Sequence, residues 1–124
     1  MSSAGSHQGL ENVKGKFSMK VEVKGRKTGI PRFANLFFIL LESKIYARTR
    51  FDKNWLENTR VNPNVKITIS NYSIQLKAVE LTEISGSEAS RISKAFRKKY
   101  SVLDYLVLWF LIRGKIRYVR FDPL

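Results

Sequence analysis

Phe17-Ser18-Met19-Lys20-Val21-Glu22-Val23-Lys24 runs directly into Gly25-Arg26-Lys27-Thr28-Gly29-Ile30-Pro31-Arg32. In the first half Phe17, Met19, Val21 and Val23 alternate with Ser18, Lys20, Glu22 and Lys24, the period of a half-buried strand. In the second half two glycines admit unusual backbone angles and Pro31 disfavours helix just before it, so the chain turns there as a hairpin loop. Phe33 to Leu41 is nearly continuous in apolar residues, Glu42-Ser43 marks a polar turn, and Ile45 to Thr49 returns as a third strand. These three strands read as a meander.

Asp52 is placed to cap a short helix through Arg60, with Trp55, Leu56 and Thr59 at helical spacing and Asn62-Pro63-Asn64 as its stop. Val65 to Ser70 and Ile74 to Leu81 read as two more strands around an Asn71-Tyr72-Ser73 turn. The apolar face of the second changes sides at Ala78, which predicts a bulge there. Ser85 with Glu88 resembles a capping box, opening a basic amphipathic helix to Tyr100 with Ile92, Ala95 and Phe96 on one face. Val102 to Ile112 is apolar apart from Asp104, too short to span a bilayer, and is expected to be buried or at a subunit contact. Lys115 to Phe121 supplies a sixth strand. Six strands with short helical insertions predict a mainly β fold, a small barrel occupying residues 13–124, with 1–12 as a flexible tail.

Composition limits the chemistry. In 124 residues, 23 Lys and Arg face 10 Asp and Glu, a formal charge of +13, so a polyanionic partner is expected. With no Cys, thiolate catalysis, disulfides and Cys-based metal sites are excluded, and a reducing, cytoplasmic setting is compatible. The one histidine, His7, falls in the Ser/Gly-rich start and is expected to be inert, so neither a Ser-His-Asp triad nor a metal centre is expected. An enzyme of this composition would rely on a cofactor for the difficult step.

Positive charge gathers in two segments, Lys24 to Arg32 and Lys44 to Lys53. In the first, a glycine-flanked turn aims backbone N–H groups outward while Arg26, Lys27 and Thr28 add donors suited to phosphate or carboxylate. In the second, alternation sets Arg48 and Arg50 on one strand face, with Tyr46 and Thr49 beside them. Both segments are expected to converge on a common anion pocket.

The order Gly25-Arg26-Lys27-Thr28-Gly29-Ile30-Pro31-Arg32, then Tyr46-Ala47-Arg48-Thr49, Trp55, Asn58 and Asn62-Pro63-Asn64-Val65, resembles the deazaflavin-dependent nitroreductase-like proteins of the FMN-binding split β-barrel (pyridoxamine phosphate oxidase-like) superfamily. The resemblance implies a six-stranded split β-barrel of the flavin-binding type. It further implies a homodimer that binds FMN or the deazaflavin coenzyme F-420 in a groove at the subunit interface. By the same resemblance the chain would be an oxidoreductase passing hydride to a small acceptor such as a quinone or nitro compound. Arg26, Lys27, Thr28 and Gly29 would face the cofactor's phosphate or acidic tail. Arg48, Thr49, Arg50 and Lys53 match the strand and loop that hold a flavin phosphate, and Trp55 and Asn58 would support that loop or flank the ring. The sequence departs from the family in having no glycine between Thr49 and Lys53. A different class of function also fits the composition: a basic small barrel that binds single-stranded nucleic acid without catalysis, its aromatic side chains serving as a stacking platform.

Overall fold

A computed structural model describes residues 15–81, 86–112 and 116–124, with backbone alone over 101–112. Six strands form a closed antiparallel barrel: β1 (Ser18–Lys24), β2 (Pro31–Leu41), β3 (Lys44–Arg50), β4 (Asn64–Ile69), β5 (Tyr72–Leu81) and β6 (Ile116–Pro123). Around the barrel they run β1-β2-β3-β6-β5-β4. Helix α1 (Asn54–Val61) links β3 to β4, and α2 (Ser87–Ile112) links β5 to β6. The expected mainly β barrel is therefore present. The tail containing His7 and the Ser85 end of the capping box lie outside the described residues.

Alternation builds the interior. Met19, Val21 and Val23 of β1 meet Phe38, Ile45, Ala47, Val65, Ile67, Ile69, Val119 and Phe121, while Trp55 and Leu56 of α1 join the same buried cluster. A second layer lies outside the barrel, where Ala89, Ile92, Phe96 and Tyr100 of α2 pack on Ile39, Tyr46 and Tyr118. Strand β3 is consequently buried on both faces, which is why its sequence lacks the apolar–polar alternation of a half-solvated strand.

This second layer also corrects the bulge expected at Ala78. The register of β5 runs unbroken against both β4 and β6, and Leu76 and Ala78 face the interior. Leu81, on the outward face, packs under α2 instead. The change of apolar side reflects a change of covering layer.

Other boundaries shift for local reasons. The β4–β5 turn is Ser70-Asn71, with Ser70 at a φ of 55°, so Tyr72 and Ser73 belong to the strand. The N-cap of α1 is Lys53, because the Asp52 carboxylate is engaged by Arg50 at 3.1 Å. Tyr100 does not end its helix, and α2 continues as one backbone helix through Ile112. Among the described residues, no helix is long and apolar enough to cross a membrane.

The barrel has a seam at the start of β1. Its first pair is Ser18 with Phe37, and the next in register would be Phe17 with Phe38. The Tyr100 hydroxyl is inserted there. It accepts from the Phe38 N–H at 3.0 Å and donates to the carbonyl oxygen of Phe17, at 2.7 Å, or of Phe38. A side chain thus continues the backbone ladder and ties α2 to the wall.

Charge reinforces the same attachment. Glu88 near the start of α2 accepts from the Tyr46 hydroxyl and from Arg120, which also bonds Asp122 at 2.9 Å. Burial and the bond to Glu88 push the Tyr46 hydroxyl up to about 12, so it remains a donor. Burial alone would raise Glu88 and Asp122, but Arg120, with Tyr46 and Lys44 respectively, holds both below the ordinary carboxylate range. Glu80, clamped by Arg60 at 2.7 Å and Arg117 at 3.2 Å, is lowered chiefly by its bond to Arg60.

Two predictions follow from these ties. Tyr100→Phe leaves the buried Phe38 N–H without its acceptor and is expected to cost about 1–3 kcal/mol in urea unfolding, with the barrel's circular-dichroism spectrum retained. The lowered carboxylates bind fewer protons in the folded chain than in the unfolded one. Stability should therefore be full above about pH 4.5 and fall as the pH drops through the folded values. Glu80→Gln should be less stable at neutral pH yet lose less on acidification, as read from urea midpoints across pH.

Candidate functional site

The β1–β2 loop, residues 25–30, is shaped by its own backbone. The Gly25 N–H donates to the Ile30 carbonyl and the Gly29 N–H to the Gly25 carbonyl, both at 2.9 Å. A Cβ on Gly25 would lie 2.9 Å from the Ile30 oxygen, and Gly29 has a φ of +75°, so each position favours glycine for a different reason. The Thr28 hydroxyl accepts from the Ile30 N–H at 3.2 Å and closes the turn.

Helix α1 holds this loop. Buried Asn58 presents Oδ1 to two donors of Arg26, the backbone N–H at 3.1 Å and Nη1 at 2.8 Å. Glu57 lies 3.8 Å from Arg26 Nη2. The adjacent residue, Lys27, is exposed at the loop's edge. One turn earlier in α1, Trp55 Nε1 donates to Thr49 Oγ1 at 3.3 Å, and the indole is buried.

Between loop and helix opens a cleft of about 800 Å³, within the range of small-molecule sites. Lys27, Arg26 and Thr28 line one side, Arg32 and Phe33 continue the wall from β2, and Asn54, Trp55 and Asn58 come from α1. The first turn of α1 carries no side-chain cap, and Asn54 and Trp55 both line the cleft.

Of the residues singled out from sequence, Arg26, Lys27, Thr28, Trp55 and Asn58 are brought together here. Gly29 lines a neighbouring cavity of about 320 Å³ with Lys24, Asn64 and Lys66. Thr49 reaches the cleft only through its bond with Trp55. Arg48 and Arg50 share a strand parity, but Arg48 is 9% exposed with its guanidinium 4.6 Å from the Phe96 ring centre, under α2. Arg50 pairs with Asp52, and its Nε is buried without an acceptor among the described residues. Lys53 sits at the N-cap of α1, its carbonyl accepting from Leu56 and Glu57. None of Gly29, Arg48, Thr49, Arg50 and Lys53 is among the residues that line the cleft.

Five lining residues escaped the sequence selection of site residues: Gly25 and Pro31 at the ends of the hairpin loop, and Arg32, Phe33 and Asn54. Arg32 and Phe33 carry a recoverable signal, since they follow Pro31 directly and must stand beside the loop. Asn54 has none beyond being the first helical residue.

The six-stranded antiparallel barrel defines the architectural class, and solved structures share that fold. The haem storage protein HutZ from Vibrio cholerae superposes with a TM-score of 0.71 at 10% identity, covering 98% of this chain and 89% of that one. An FAD-binding protein from Mesorhizobium loti gives 0.66 at 18% identity, covering 100% and 91%. An F420-H2 dependent reductase, FDR-A, gives 0.66 at 16% identity, covering 86% and 95%. The chain thus has the fold of split-barrel proteins that include FAD-binding and F420-H2 dependent members. No family model and no curated protein matches the sequence.

Asn58→Ala removes the one acceptor that two Arg26 donors share and should cost about 1–3 kcal/mol in denaturant unfolding. Asn58→Asp keeps an acceptor facing Arg26 and should retain most of that stability.

Proposed function

We propose that the cleft binds a flavin-type cofactor, FMN or the deazaflavin coenzyme F-420, and that the chain is an oxidoreductase acting on a small acceptor such as a quinone or nitro compound. The observation that carries this reading is the pairing, in one cleft of about 800 Å³, of a cationic hairpin loop with aromatic walls. Phosphate or an acidic tail needs charge-assisted donors, and a planar ring needs apolar faces. The residues present fit both requirements.

When bound, such a group supplies hydride transfer. The chain's own residues bind and orient. Lys27 and Arg32 offer cationic donors to the anionic end, with the uncapped first turn of α1 adding backbone N–H groups. Arg26 is a positioning residue, because Asn58 and Glu57 hold its guanidinium against α1 and thereby fix where Lys27 and Thr28 stand. Phe33 would flank the ring, with the buried Trp55 backing the cleft wall from the core side. Gly29 serves through the loop's backbone. Lys53, at the N-cap of α1, would add to the positive potential beside it, whereas Arg50 is paired with Asp52 and Arg48 is held under α2. A homodimer is part of the proposal, with the second copy over the open mouth of the cleft, where it would shield the ring.

Titration of the purified chain against FMN and F-420 side by side, read by quenching of cofactor fluorescence, tests the reading. Saturable binding of at least one is expected. Lys27→Ala with Arg32→Ala should weaken it by about tenfold or more while leaving unfolding midpoints near the parent value. Arg26 stays in place, since removing it would free the loop. Absence of quenching by both cofactors, or an affinity indifferent to the double substitution, would overturn the assignment.

A further inference from the structure

The outer face of the sheet formed by β1, β2, β4 and β5 carries chemistry unrelated to the interior. In register, Phe33 stands opposite Glu22, which stands opposite Lys66. One step along, Asn35 opposes Lys20 and Lys20 opposes Thr68, and Phe37 then opposes Ser18. Phe33 is 59% exposed and Phe37 40%, while Phe38, in the barrel interior, is fully buried. Strand alternation sets Phe37 and Phe38 on opposite sides of β2. Lys20 lies 5.2 Å from the centre of the Phe33 ring.

The two rings stand on one strand face, four residues and about 13 Å apart; Phe33 is open to solvent, and Phe37, tilted against the Tyr100 ring at 5.3 Å, keeps part of its surface exposed. Around them the face is polar and basic: Lys20, Lys24 and Lys66 are exposed, Thr68, Ser73 and Gln75 fill the remaining positions, and Glu22 is half-buried. A two-fold contact with another copy across this face would set lysines against lysines and bury hydroxyls and amides without partners. A single-stranded polyanion meets both features. Its bases have faces to stack on phenyl rings, and its phosphates match the lysines and the net charge of +13. In a duplex the base faces are already stacked.

We propose that the β1–β2–β4–β5 outer face is a platform for single-stranded nucleic acid, in which Phe33 and Phe37 stack on bases and Lys20 and Lys66 contact phosphates. It is separate from the cleft except at Phe33, which stands on the border of both. Binding here does not depend on the redox reading.

The test uses the whole chain and fluorescein-labelled 12-nucleotide oligo-dT and oligo-rU, followed by anisotropy at ~50 and ~200 mM salt. Binding that weakens steeply with salt is expected. Phe37→Ala should lower affinity by about 5- to 100-fold with an unchanged salt slope. Lys20→Gln and Lys66→Gln should each lower affinity and flatten the slope by about 0.7. The two lysines face solvent whereas Phe37 also rests on the Tyr100 ring, so circular dichroism checks each variant and the lysine variants carry the test if Phe37→Ala fails to fold. The proposal is overturned if a duplex of the same length binds as tightly as the single strand, or if the ring and lysine variants bind like the parent. It is also overturned if Phe37→Ala converts a dimer to a monomer in sedimentation velocity with oligonucleotide affinity unchanged, which would make this face a subunit contact.

Discussion

Closure of the backbone ladder is the constraint on which everything else rests. Strand β1 meets β4 through Lys20, Val21 and Glu22 alone, and without that contact both strands would be edges over an opened core. The Tyr100 hydroxyl extends the other side of β1 by one more ladder position, bridging Phe17 and Phe38. Because the 25–30 loop grows directly from β1 and β2, the cleft inherits its shape from this closure. A loose seam would misplace Lys27 and Arg32 before it touched any ligand.

The barrel is covered twice. Ile45, Ala47 and Thr49 face inward from β3, while Tyr46 and Arg48 face α2. This divides the labour of the two basic segments. Lys27 and Arg32 stand at the cleft, whereas Arg48 lies along the Phe96 ring, where an arginine gains from the aromatic face and from burying its aliphatic stem. Arg26 is intermediate: it borders the cleft but is held by Asn58 as part of the scaffold.

Much of the fold was legible because β1 alternates and because glycine, proline and Asn-Pro punctuate the chain at real turns. The cleft was half legible for the same reason, since Arg26, Lys27 and Thr28 lie on one loop. What could not be read depends on partners distant in sequence. Arg26 and Asn58 are joined across 32 residues. Parity set Arg48 and Arg50 together correctly, but in a strand covered on both faces parity alone cannot say which face meets α2. The supposed bulge at Ala78 arose from the same cause, an outer layer contributed by a helix further along the chain. Asp52 failed as a cap because Arg50, two residues earlier, competes for its carboxylate.

The position of β6 has a consequence for biosynthesis. It lies between β3 and β5, although it is the last of the six strands in chain order. While it is still inside the ribosome, the nascent protein exposes two open strand borders and an incomplete interior lacking Val119 and Phe121. Closure of the barrel must therefore wait until β6 has emerged, and in that interval the growing polypeptide is vulnerable to sticking to its neighbours.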